Sequence, residues 1–157
     1  MLRARACVGI AAAFLVAGFA LEAADAPAAS SCRPTRSDAA GPFQQTGVAA
    51  PRRARIGTGH VLHGRVLRVP GCSPVARALV VLWQAGPNGY GPRGRGSVVT
   101  DRAGRFRFEG PVPASYGRQP HIHIAVIHPA YEELVSRYIV QPGSKSGRIR
   151  LVLTPLL

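Results

Sequence analysis

Alternation of apolar and polar residues, repeatedly cut by glycine or proline, is the feature of this chain that most limits its fold. Val61, His63, Arg65 and Leu67 alternate with Leu62, Gly64, Val66 and Arg68, and Arg105-Phe106-Arg107-Phe108 alternates strictly. Side chains two apart share a face of a strand, so each run is a half-buried strand with a defined inner side. Ala78–Gln84 is an apolar run of strand length, predicted to be buried on both faces. Ser97–Thr100, His121–Ile127, Leu134–Val140 and Arg148–Thr154 read as further strands, and Asp101-Arg102-Ala103-Gly104 as a turn. The best helical stretch, Pro129–Leu134, is under two turns. With 18 glycines and 14 prolines in 157 residues, a helical bundle is disfavoured. The expectation is an all-β sandwich of about seven to eight short strands. Tyr90 and Tyr116 fall on glycine- and proline-flanked segments and are predicted to lie on loops.

The pattern divides the chain into three parts. Residues 1–26 open with Arg3 and Arg5, continue through an apolar core from Val8 to Leu21, and end in small residues around Ala24-Asp25-Ala26. This is the signature of a secretory signal peptide, and the core is short for a membrane span. It predicts an exported protein, periplasmic or extracellular, with no stable membrane span after processing. Residues 27–57 show little periodicity and read as an extended arm lying over the domain, and residues 58–157 as the β-sandwich. Removal of the signal removes Cys7 and leaves Cys32 and Cys72, an even number suited to a disulfide in an oxidising compartment. No Cys-x-x-Cys is present, which argues against a cysteine zinc site or thioredoxin chemistry.

The net charge is +13, and 19 of the 20 basic residues are arginine. That raises polyanions as partners. The arginines are scattered along the sequence, however, and no helix-turn-helix or zinc-finger pattern accompanies them, so no specific nucleic-acid partner is expected. A site tolerant of anionic aromatic substrates is the more modest inference.

The residues that carry chemistry start with His121 and His123. Two apart on a strand, they point together while Ile122 and Ile124 point into the core. Zinc, copper and iron sites all use such a pair, and so do two hydrogen-bonded histidines with no metal at all. No Asp or Glu lies close in sequence, against a two-histidine, one-carboxylate ferrous site.

Several ordered motifs extend this pair. Trp83-Gln84-Ala85, Asn88-Gly89-Tyr90, Thr100-Asp101-x-x-Gly104-x-Phe106-x-Phe108 and Pro113-x-x-Tyr116-x-Arg118-x-Pro120-His121-Ile122-His123 follow one another. Upstream stand Gly41-Pro42-Phe43, Gly64-Arg65-Val66 and Gly71-Cys72-x-Pro74-Val75. The ordered set resembles the intradiol ring-cleavage dioxygenases, the protocatechuate and catechol dioxygenases, over about residues 32–157. The resemblance implies Fe(III) held by Tyr90, Tyr116, His121 and His123, with Tyr90 permanent and Tyr116 displaced by substrate. It places Arg118 beside the substrate ring. It implies that a catechol and O2 are the reactants and that the ring opens between its two hydroxylated carbons, giving a cis,cis-muconate-type diacid. Hard ferric iron suits phenolate oxygen, and its charge would hold a phenol ionised far below a solution pKa near 10. The chain departs from the family at Gln44, at Ser136-Arg137 and in the compact Tyr116–His121 spacing. It resembles the small, secreted, single-domain branch. The competing expectation is a secreted, metal-free, transthyretin-like binding module, which explains the strands but not the four ligand positions.

Overall fold

A computed structural model describes residues 32–39, 50–115 and 117–157. The expected signal segment, Gly41-Pro42-Phe43-Gln44 and Tyr116 lie outside the described residues. Eight strands follow in order: β1 His60–Arg68, β2 Ser73–Pro74, β3 Leu79–Gly86, β4 Gly89–Val99, β5 Arg105–Gly110, β6 His121–Ile127, β7 Leu134–Ile139 and β8 Ser146–Leu153. They form two four-stranded sheets. In one, β1 pairs with β2 and β5 antiparallel and with β8 parallel. The other runs β4-β3-β6-β7, antiparallel throughout.

The alternation read from the sequence sets the layers. Leu62, Val66, Val80, Leu82, Phe106, Phe108, Ile122, Ile124, Val126, Leu151 and Leu153 point inward and form the core between the sheets. Gly64 interrupts the inner row of β1 because Phe106 fills its place: a Cβ there would come within 1.9 Å of the ring. The predicted Asp101–Gly104 turn is present. Asp101 Oδ1 accepts the Ala103 and Arg105 N–H groups, and Gly104 takes φ +71, a left-handed conformation that favours glycine.

Two local expectations are overturned. Tyr90 lies on a strand, not on a loop: β4 spans 11 residues, and Gly86 pairs with Gly89 around a two-residue Pro87-Asn88 turn. Such a turn joins antiparallel strands directly, so the glycines and prolines that looked like breaks mark a hairpin. Pro92 is tolerated within β4 because this is an edge strand, where a missing N–H costs no ladder bond. Pro129–Leu134 is not helical; Pro129-Ala130 make a turn and Tyr131 bridges to Pro155.

The segment preceding β1 closes the sheet edges. On one side Thr35 exchanges hydrogen bonds with Val152 of β8, and the Asp38 N–H donates to the Val135 carbonyl of β7. On the other, Ser97 of β4 donates to Pro51, while Ile56 and Ala54 pair with Glu109 of β5. Unpaired strand edges are thereby covered in both sheets. Cys32 and Cys72 form a disulfide with Cα atoms 5.3 Å apart, closing a loop of 40 residues. Loop-closure entropy assigns such a link about 3–4 kcal/mol.

Candidate metal centre

β6 is buried on both faces, although only one face looks into the core. Ile122, Ile124 and Val126 face the other sheet; His121, His123 and Ala125 face outward. A second, smaller apolar cluster covers the outward face, made of Trp83, Ala125 and Val135 with Val81 and Tyr90 packed against it. His121 and His123 are therefore only 9% and 8% exposed.

Register places the partners. Trp83 of β3 lies opposite His123, and the two rings stack with centroids 5.0 Å apart and planes 8° from parallel. Tyr90 enters from β4 just after the hairpin turn. β3 and β4 shift register between Trp83 and Ala85, so β4 bulges between Tyr90 and Arg95. At that bulge Gly94 lies against the Gln84 carbonyl, where a Cβ would come within 2.4 Å of the oxygen. Tyr90 Oη is then 3.1 Å from His121 Nε2 and 3.2 Å from His123 Nε2, while the two Nε2 atoms are 3.1 Å apart.

Three donor atoms thus form a nearly equilateral triangle. Donors bound about 2.1 Å from one ion are separated by about 3.0–3.4 Å, so the triangle fits one face of a coordination polyhedron. The tautomer of His121 fits as well. Its Nδ1–H donates to the Gln119 carbonyl at 2.8 Å, which leaves the Nε2 lone pair directed at the cluster. Among the described residues no set of three His, Cys, Asp or Glu side chains gathers, so the phenol oxygen is an essential third donor.

The local electrostatics favour neutral imidazole. His123 is pushed down to about 4, chiefly by burial, then by His121 and Arg137, with Asp38 opposing. The Tyr90 phenol is pushed up by burial, and the Arg137 guanidinium opposes this in part. Without a further cation the phenol stays protonated; a multivalent ion at the triangle would reverse the preference.

Arg137 explains what one departure from the family pattern does here. It sits directly opposite His123 on β7 and pairs through Nε and Nη2 with both Asp38 carboxylate oxygens. Asp38 comes from the arm, so the arm places an ion pair at the rim of the cluster. That partnership is not legible along the chain, since 99 residues separate the two. Arg118 lies exposed on the bend leading into β6, where its carbonyl accepts the Ser115 hydroxyl. The structure therefore unites Tyr90, His121 and His123, keeps Arg118 on the adjoining loop, and does not describe Tyr116.

A half-buried phenol and two buried imidazoles thus meet on the outer face of one sheet of a two-sheet β-sandwich, a donor set of the kind that can hold a metal ion. The dioxygenase family model matches residues 33–143, and the chain belongs to the intradiol ring-cleavage dioxygenase family. It is an oxidoreductase of that family, whose members act on small catecholic substrates with O2. Solved structures share the fold. Hydroxyquinol 1,2-dioxygenase from Pseudomonas putida DLL-E4 superposes with a TM-score of 0.68 at 21% identity, covering 80% of this chain and 68% of that one. The dioxygenase domain of a dioxygenase–carbohydrate-binding protein fusion from Streptomyces sp. SirexAA-E gives 0.67 at 22% identity, covering 79% of this chain and 100% of that one. For 3-chlorocatechol 1,2-dioxygenase from Rhodococcus opacus 1CP the values are 0.67 and 21%, with 82% and 75% covered. No match was found among curated proteins.

Proposed function

We propose that the chain is an Fe(III)-dependent intradiol dioxygenase with Tyr90, Tyr116, His121 and His123 as its ligands. The observation that carries this reading is the convergence of Tyr90 Oη, His121 Nε2 and His123 Nε2 to within 3.1–3.2 Å of one another. Bound ferric iron would supply a Lewis acid that holds both catechol oxygens as anions and primes the ring for O2. The protein's part is positional and protolytic. His121 and His123 present their Nε2 atoms to one point, their rings fixed by the Gln119 carbonyl and by the Trp83 stack. Tyr90 stays in place because its backbone is locked in a hairpin. Tyr116 would be the exchangeable ligand, its phenolate oxygen the base that takes up one catechol proton. Arg118, on the bend leading into β6, stabilises negative charge developing on the ring. Both atoms of O2 enter the diacid, so the reaction consumes no external reductant. The chain is exported by residues 1–26, with residues 27–57 as the arm and residues 58–157 as the catalytic sandwich.

The test is resonance Raman spectroscopy of the iron-loaded protein, with excitation in its visible band, alongside oxygen uptake on catechol, protocatechuate and hydroxyquinol. Two tyrosinate signatures at rest and one after catechol binding are expected, together with O2 consumption on at least one of the three. A colourless protein that takes up no ferric iron would sink the proposal and favour a metal-free binding module.

A further inference from the structure

Arginines that are scattered in the sequence converge in the fold. On the outer face of the β1 sheet, register aligns Arg105, Arg65 and Arg150 in one row across β5, β1 and β8. The next row aligns Arg107, His63 and Arg148. All six side chains are exposed. Neighbouring strands lie about 4.8 Å apart, and like charges placed directly opposite repel. Little offsets this. Arg107 pairs with Glu109, which also meets Arg55, while Arg65, Arg105, Arg148 and Arg150 form no ion pair among the described residues. Asp101 spends Oδ1 on backbone N–H groups at the turn. Arg65 donates to the Ala103 carbonyl, and Arg150 approaches Cys72 Sγ.

We propose that this face docks on an anionic lipid bilayer. Its charges form a grid on one sheet surface, which suits a planar array of phosphates. Apart from the His63 imidazole, the two rows carry no aromatic ring for stacking on bases, the usual platform for single-stranded nucleic acid. Each arginine near such a surface strengthens attachment about fivefold, through attraction that fades within a Debye length. The metal cluster lies on the outer face of the opposite sheet, so attachment by the arginine face leaves that cluster turned away from the lipid. The contact would be peripheral; no helix among the described residues is long and apolar enough to cross a membrane.

The experiment is co-sedimentation of the full protein with vesicles of phosphatidylcholine alone and with vesicles containing about 30% phosphatidylglycerol, near 0.1 M salt. Binding is expected only to the anionic vesicles and should fall as salt rises. Replacing Arg65, Arg105 and Arg150 by glutamine should weaken it roughly hundredfold, with thermal stability equal or higher because like charges are separated. The second row, Arg107→Gln with Arg148→Gln, provides an independent variant. Equal binding to both vesicle types, or undiminished binding by both sets of variants, overturns the proposal. Retention on heparin or duplex DNA at salt concentrations that release the vesicles also overturns it, in favour of a soluble polyanion.

Discussion

The outer faces of the two sheets start from the same alternating pattern and end as opposites. On the β6 sheet the outward side chains are histidines, tyrosine and tryptophan, covered by a small apolar cluster and bordered by the arm. On the β1 sheet they are arginines and a histidine open to water. The contrast teaches that solvent access, not residue type, decides what an outward histidine does. His63 is exposed to water; His123 is enclosed, largely stripped of water and held neutral.

The sharpest way to break the contrast is to delete imidazoles on each side. His121→Ala or His123→Ala should reduce metal affinity by more than the roughly 10–100-fold that outer partners of a ligand command. His63→Ala should change neither metal content nor activity. Metal analysis with visible absorbance checks all three, and metal loss in His63→Ala would dissolve the distinction. Packing comes next. Trp83→Ala removes a 2%-exposed indole and should destabilise the protein by about 3–5 kcal/mol in urea unfolding. Arg65→Ala, exposed, should stay within about 0.5 kcal/mol.

A further contrast is in pH dependence. His123 titrates near 6.5 when unfolded and near about 4 in the metal-free fold, so between those values the unfolded chain binds more protons. The stability contributed by neutral His123 should be complete above 6.5 and be lost as pH falls toward about 4. Denaturant midpoints of the metal-free protein across that interval measure it. His123→Gln should flatten the profile.

Much of this was legible in the residues and some was not. The parity of His121 and His123, the inward phenylalanines of β5 and the Asp101–Gly104 turn are local consequences of alternation and turn chemistry. Tyr90 was misplaced because a glycine- and proline-rich stretch can end a strand or turn a hairpin, and only pairing with β3 decides between them. The Asp38–Arg137 pair and the two arginine rows depend on register between strands distant in sequence. Arg65, Arg105 and Arg150 look unrelated until β1 is set between β5 and β8.

The stack of Trp83 on His123 has an optical consequence. Trp83 is the single tryptophan of the chain, so all indole emission originates one ring away from the donor triangle. A transition-metal ion bound by His123 would quench that emission at close range, and its dissociation would restore it. If the proposed ion binds there, Trp83 would serve as an intrinsic fluorescent gauge of occupancy, readable at sub-stoichiometric metal and independent of turnover.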